Sequence, residues 1–314
     1  MARPLRIEYP GAFYHITARG NERKDIFRDD RDRERFLGYL ETAVVRYKAL
    51  IHVYCLMNNH YHLLISTPAG NLSQIVRHIN GAYTVYYNKR HHRFGHLFQG
   101  RYKAILVDAD EYAGELSRYV HLNPVRAGLA NLPEGYPWTS YLNYIGRKKS
   151  SRWQRTDWLL RYFGKSPAEA QRKYRAFVEA KIGTPGGNPL KEVVASTLLG
   201  RPDFIEGIKR KYLGGRKRNR DVPALAALTR QSPQEIAEKV RLEFQDMPEH
   251  ARKAAIYLSH KFSGLSLKEI GRQFGIRESA VSQASRRFES VLSENARLRR
   301  KVEKVREELN LSNV

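Results

Sequence analysis

Two histidines one residue apart, His60 and His62, stand in the run Asn58-Asn59-His60-Tyr61-His62-Leu63-Leu64. On a strand, alternate residues share a face, so both imidazoles stand on one side and Tyr61 on the other. Paired imidazoles at that spacing can fill two coordination positions of a divalent cation. The same spacing also suits two polar residues on a solvated sheet face. A second cluster, Arg118-Tyr119-Val120-His121-Leu122-Asn123-Pro124, closes a helix-like stretch. Tyr119 and Asn123 are four apart and share a helix face, so a phenol and an amide point the same way. If that face covers the histidine strand, Asn123 is a third metal ligand and Tyr119 stands beside the cation. Otherwise Tyr119 packs in the core and Asn123 caps the helix before Pro124. Tyr112 lies near the same face but lacks an amide partner one turn on, and is read as core.

The elements that must position these residues are legible in the hydrophobic periodicity. Phe13 to Ala18 reads as a strand and Arg31 to Lys48 as a helix with Phe36, Leu37, Leu40, Ala43 and Val44 at helical spacing. Ile51–Met57 and His60–Ser66 read as strands joined by Asn58-Asn59, since Asn tolerates the positive φ of a tight hairpin. A helix over Leu72–Asn88, a strand over Tyr102–Val107 and a helix capped by Asp110 and ended by Pro124 follow. The order β-α-β-β-α-β-α predicts an α+β fold with a ferredoxin-like antiparallel sheet and helices on one face. Residues 1–131 form this expected domain.

Residues 132–220 are expected to be mainly helical with linkers. Pro133–Gly146 reads as an extended wrap, Asp157–Lys181 and Leu190–Leu213 as helical blocks, and Gly183–Pro189 and Gly214–Arg220 as loops. Residues 221–314 read as wholly helical. Ser232-Pro233-Gln234-Glu235 and Ser266-Leu267-Lys268-Glu269 have the Ser-to-Glu spacing of capping boxes, and Gly275 stops a helix. No internal repeat is found.

Composition bounds the partners. Lys and Arg number 56 against 32 Asp and Glu, a net charge of +24 over 314 residues, and such an excess points to a polyanion. No apolar run approaches the roughly 20 residues of a membrane span, and the N-terminus lacks a signal-peptide stretch. One cysteine, Cys55, excludes an intramolecular disulfide and a Cys-rich zinc site and reads as a buried strand residue. The expectation is a cytoplasmic, nucleoid-associated protein with no membrane partner.

Four motifs in order resemble the single-tyrosine HUH transposases: Tyr14–Asn21, the His60-Tyr61-His62 strand, His96–Tyr102, and Tyr119–Gly128. The branch they resemble most is the REP-associated tyrosine transposases, and Tyr136–Tyr141 is similar to that branch's extension. The resemblance covers about the first 145 residues. It implies that His60, His62 and Asn123 hold Mg²⁺ or Mn²⁺ and that Tyr119 is the nucleophile. It further implies nicking and rejoining of single-stranded DNA beside a hairpin, through a 5′-phosphotyrosine. Other readings of the chain are a DNA-occupying regulator or nucleoid factor, and a metal hydrolase without a covalent intermediate.

Cationic tracks with aromatic platforms hold single strands. His15, Arg19, Arg77, Arg101, Tyr102 and Arg126 are the candidates near the site, and the run Asn88–Arg93 is a candidate for phosphate contact. Residues 265–284 have the helix, glycine turn and second helix of a helix-turn-helix and resemble the DNA-binding domain of the bacterial replication initiator. Leu267, Ile270, Phe274, Ile276 and Val281 would be its core, while Arg277, Ser279, Ser282, Gln283 and Arg286 would face the major groove of duplex DNA. Phe288, Val291, Asn295, Leu298, Val302, Val305 and Leu309 follow heptad spacing, so a homodimeric coiled coil and a stripe laid on the chain's own core are both open.

Overall fold

The structure is a computed structural model that describes residues 4–184, 187–214, 222–228, 231–309 and 311. Contacts divide the chain into two compact units, residues 4–208 and 209–314, each described by itself. Among the described residues no helix is long and apolar enough to cross a membrane.

The first unit is built on strands β1 (Ala12–Arg19), β2 (Leu50–Leu56), β3 (His60–Thr67), β4 (Lys103–Val107) and β5 (Leu198–Leu199). Their order is β2-β3-β1-β4-β5. The first four are the antiparallel ferredoxin-like sheet expected from the alternating elements, whereas β5 joins β4 in parallel. Helices α1 (Asp30–Tyr47) and α2 (Leu72–Arg90) lie between these strands in the sequence, and α3 (Ala109–His121) follows β4.

Helices on one face only was the expectation, and the structure corrects it. Tyr61 turns toward α1 and α2: its ring lies 4.9 Å from Phe36, and its hydroxyl donates to Asn80 Oδ1 at 2.7 Å. The opposite face carries Phe13, Val53, Cys55 and Leu64, which bury against Leu116 and Val120 of α3. The physical reason is that both faces of β1 to β3 are apolar, so both must be covered. Cys55 is buried, as expected.

Residues 132–208 pack on that second face rather than around a core of their own. The wrap runs along the outer edge of β2: Leu56 N donates to Trp138 O at 2.9 Å, Ser140 N to Tyr54 O at 3.0 Å, and Tyr136 Oη to Leu56 O at 2.8 Å. It thereby satisfies edge groups that would otherwise invite pairing with another chain. Short helices α4 (Asn123–Arg126), α5 (Tyr141–Tyr144) and α6 (Asp157–Leu160) precede α7 (Pro167–Glu179). The block Asp157–Lys181 is therefore broken: the chain turns at Gly164, where a Cβ would meet Ala170 N at 2.8 Å. Tyr174 and Val178 are fully buried on the expected side of α7. Leu190–Leu213 is not one helical block either. It holds β5 and α8 (Pro202–Ile208), then a single π-helical turn over Lys209–Leu213, which belongs to the second unit. The linker Gly183–Pro189 and the basic loop after Gly214 fall partly outside the described residues.

The second unit contains α9 (Pro223–Leu228), α10 (Pro233–Glu243), α11 (Pro248–Phe262), α12 (Leu267–Phe274), α13 (Glu278–Glu294) and α14 (Ala296–Glu308). Both expected capping boxes form, at Ser232/Glu235 and Ser266/Glu269. Between α12 and α13, Gly275 adopts φ +65°, and Gly271 sits where a Cβ would be 2.6 Å from Ile276 O. Both positions of the turn thus require glycine. Ile270 and Val281 are buried with Ile256, and Leu267, Phe274 and Ile276 pack beside them, which is the small core expected for the helix pair.

The heptad seam is corrected. A continuous helix from Phe288 would be needed, but α13 ends at Glu294. Asn295 leaves helical geometry (φ −120°, ψ 101°) and its side chain accepts from Arg297 N and Leu298 N. Asn is a strong N-cap because its oxygen satisfies these orphan donors. Leu298, Val302 and Val305 then bury in the unit's own core with Phe288, while Val291 is exposed.

Candidate active site

β1 and β3 pair in antiparallel register with Thr17 opposite His62 and Arg19 opposite His60. The register puts Thr17, Arg19, His60 and His62 on the face that α3 covers. Tyr119, near the end of α3, comes down beside them, its ring 5.9 Å from that of His62 and nearly perpendicular. Together they line a cleft of about 870 Å³ that also receives His15, Arg101, Lys103, Asn123 and Arg126.

Asn58 and Asn59 do more than turn the chain. Neither adopts the positive φ expected of a tight hairpin. Instead Asn58 O accepts from the N–H groups of Ile26 and Phe27, and Asn58 Oδ1 accepts from Arg33. Asn59 Nδ2 donates to Arg23 O, which fixes its amide so that Oδ1 faces His60 Nδ1 at 2.7 Å. An amide oxygen only accepts, so His60 carries its proton on Nδ1 and keeps the lone pair on Nε2. Burial and the Arg19 charge hold the His60 imidazole down at about 4. His62 is held well below its ordinary value by burial, then by His15, His60 and Arg19. Both rings are neutral at pH 7, the state in which imidazole binds metal. His62 Nε2 is buried with no hydrogen-bond partner in the described structure.

Tyr119 and Asn123 meet, but not along one helix. α3 ends at His121, and Asn123 opens α4 after Leu122. Asn123 Nδ2 donates back to Tyr119 O at 2.9 Å, which leaves Oδ1 as the atom available to a cation. Burial raises the Tyr119 phenol above its ordinary value, while the charge of Arg126, a hydrogen bond with Asn123 and the charge of Arg19 pull it back. The Arg126 guanidinium lies 5.3 Å from the ring centre. Tyr112 turns elsewhere: its hydroxyl donates to Glu192 at 2.6 Å, and this carboxylate together with burial pushes the phenol up to about 12. The rim of the cleft is cationic, with Arg19, Arg101, Lys103 and Arg126, and no carboxylate is among its lining residues.

Two expected DNA contacts, Tyr102 and Arg77, lie away from the cleft, and His15 lines it without a free ring. His15 is 1% exposed, and its Nε2 is 3.0 Å from His62 Nδ1, so it backs the histidine pair and does not present a free ring. Tyr102 is buried on the opposite face, with its hydroxyl at Ser73 and the Arg6 guanidinium 4.0 Å over its ring. Arg77 belongs to α2, which packs on the face away from the cleft. In the basic run, Arg90 is paired with Asp29 and Asp32, and His91 with Asp32. Sequence reasoning missed Lys103, Gln99 and Ser196 in the cleft. Strand alternation marks Lys103, since β4 pairs Lys103 with Thr17. Ser196 reaches the site only because β5 docks on β4. In the second unit Arg277, Ser279, Gln283 and Arg286 are exposed on α13 or its cap, and Ser282 is half-buried.

This arrangement agrees with a comparison by sequence: residues 9–123 match the family model described as "Transposase IS200 like". That segment is thus similar to IS200-like transposases over less than half of the chain. The match ends at Asn123, so it takes in β1 to β4, α3, both histidines and Tyr119. No curated protein matches the sequence. A solved structure described as "Structure of the REP associates tyrosine transposase bound to a REP hairpin" shares 15% identity and a TM-score of 0.42. That likeness covers 50% of this chain and 93% of that one.

Proposed function

We propose that the segment similar to IS200-like transposases is a metal-dependent single-stranded DNA endonuclease and strand transferase of the REP-associated tyrosine transposase branch, acting beside hairpins. The observation that carries this reading is the meeting of Tyr119 with two neutral imidazoles and an amide in one cation-rimmed cleft. A phosphodiester repels nucleophiles with its own charge. Arg19, Arg101, Lys103 and Arg126 offset that charge and hold the backbone against Tyr119.

The residues present fit a divalent cation. His62 offers a buried nitrogen without a partner, His60 a lone pair on Nε2, and Asn123 an amide oxygen. Among the described residues no group of three or more His, Cys, Asp or Glu is placed to hold a metal ion, so the set is two imidazoles and an amide. Bound there, Mg²⁺ or Mn²⁺ would supply Lewis-acid charge neutralisation at phosphate. Tyr119 Oη attacks phosphorus and loses its proton. The bond to the 3′-oxygen breaks, and that oxygen leaves as a 3′-hydroxyl. The product is a 5′-phosphotyrosine, which retains the phosphodiester's energy, so another 3′-hydroxyl can reverse the step and join strands.

The second unit is read as a duplex-DNA reader, with Arg277, Ser279, Ser282, Gln283 and Arg286 toward the major groove. Support comes from the glycine-built turn and the exposure of most of this set. The reading is tested by incubation with single-stranded hairpin DNA and Mn²⁺. A denaturation-resistant protein–DNA adduct, lost in His60→Ala and in excess chelator, is expected. Nicked DNA with no adduct would favour a hydrolase instead.

A further inference from the structure

Among the histidines that line the cleft, His15 is the one that the reaction above does not use. It stands on β1 opposite Leu64, diagonal to His62 across the strand pair, where aromatic side chains can reach one another. His15 Nε2 and His62 Nδ1 are 3.0 Å apart, the ring centres are 5.2 Å apart and the planes differ by only 9°. Nitrogens this close between parallel planes mean an edge-to-edge hydrogen bond and not a stack. One of the two nitrogens must donate and the other accept. If His15 donated, His62 would carry its proton on Nε2, the buried atom with no partner, and could not offer a lone pair there. If His62 donates, Nε2 faces the cleft as a lone pair.

We propose that His15 is a positioning residue that accepts the His62 Nδ1 proton and so fixes His62 in the tautomer competent to hold a divalent cation. This rests on the metal role given to His62 above. It gives Nε2 of this sealed polar ring a use, which orients the His62 ring at the cleft, while the His15 proton stands on Nδ1, a buried atom with no hydrogen-bond partner in the described structure. A ligating histidine's other nitrogen commonly meets such a partner, whose loss weakens metal affinity about 10-fold to 100-fold. Asn59 performs the same service for His60 through its fixed amide oxygen.

The test is binding of Mn²⁺ alone to the full chain, followed by electron paramagnetic resonance or calorimetry without DNA. His15→Ala and His15→Asn should weaken Mn²⁺ binding about tenfold or more. His15→Gln should stay within a few-fold of the native protein, because its amide oxygen reaches where Nε2 stands, whereas Asn reaches only the nearer nitrogen's place. Thermal unfolding of each variant reports whether it folds, and the folded His15→Gln keeps the comparison decisive. Native affinity in His15→Ala, or equal weakening in all three variants, would overturn the proposal. His60→Ala serves as the control on the underlying reading. If the native protein binds no Mn²⁺, or binds it equally after His60→Ala, the metal site itself fails and the proposal falls with it.

Discussion

The chemistry of individual side chains is set by burial. Tyr119→Phe removes only an oxygen, so adduct formation on single-stranded hairpin DNA should fall to background while hairpin affinity in a gel-shift assay stays within a few-fold. Retained adduct would move the nucleophile to another tyrosine. Tyr112 is a poor substitute, because its hydroxyl is spent on Glu192. The buried histidines also make a pH prediction. His15, His52 and His60 are held at about 4 against an ordinary 6.5, mainly by burial. The unfolded chain therefore binds protons that the folded chain refuses, and stability must fall as pH drops from about 6.5 toward 4. The upper part of that window lies above ordinary carboxylate titration. Thermal unfolding of the first unit should show the decline there, and a flat midpoint from pH 6.5 to 5.5 would contradict it. His60 and His62 were legible as a pair from spacing alone, and so was their common face. The second role of Asn58-Asn59 was not. Turn propensity explains two asparagines without asking what their amides hold, and only the contacts to Arg23, Arg33 and His60 reveal it.

At the scale of elements, the helix that carries Tyr119 is fixed through its buried side. His121 Nδ1 is 2.7 Å from Tyr174 Oη, and His121 Nε2 is 2.8 Å from Ser140 Oγ. Those partners tie α3 at once to α7 and to the wrap along β2. Ser140→Ala leaves a fully buried ring nitrogen without a partner and should cost about 1–3 kcal/mol of stability, measured by denaturant unfolding. A change below a few tenths of that would make the contact incidental. A second element-scale prediction concerns α14. Val302 is 3% exposed in its own unit's core, so Val302→Asp should unfold that unit, at a cost of about 3 kcal/mol or more, without changing oligomeric state in light scattering. Dissociation of a dimer by this change would restore the coiled-coil seam. The strand and helix order of the first domain was readable because its periods are long and clean. A two-residue strand such as β5 has no period at all. The break at Asn295 was missed because heptad spacing is blind to capping: Asn295 fits the repeat, yet its side chain satisfies the next helix's amides instead.

At the scale of the whole molecule, the net charge of +24 is the expected signature of a nucleic-acid partner, and the two units divide the task in the proposed reading. All the residues assigned to the reaction lie before Gly128. Truncation after Ile208 should therefore leave adduct formation on a single strand within a few-fold, and it should weaken duplex binding and flatten its dependence on salt as phosphate contacts go. Equal duplex affinity and salt slope in the truncated protein would deny the second unit its assigned role. Charge and motif order point to the class of partner proposed, but composition could not separate a base-reading helix from a basic packing surface. The exposed set on α13 is visible only once the turn and its small core are built.

The central claim is that Tyr119 becomes covalently joined to DNA, and one measurement reaches it directly. The full chain is incubated with a single-stranded hairpin oligonucleotide labelled 5′ and 3′ with different dyes, with Mn²⁺, and resolved under denaturing conditions with peptide mapping of any shifted band. The account predicts a band carrying only the label on the 3′ side of the cut, attached through the peptide that contains Tyr119, and absent after Tyr119→Phe. Cleaved DNA with no attached protein, or attachment through a different residue, would contradict it.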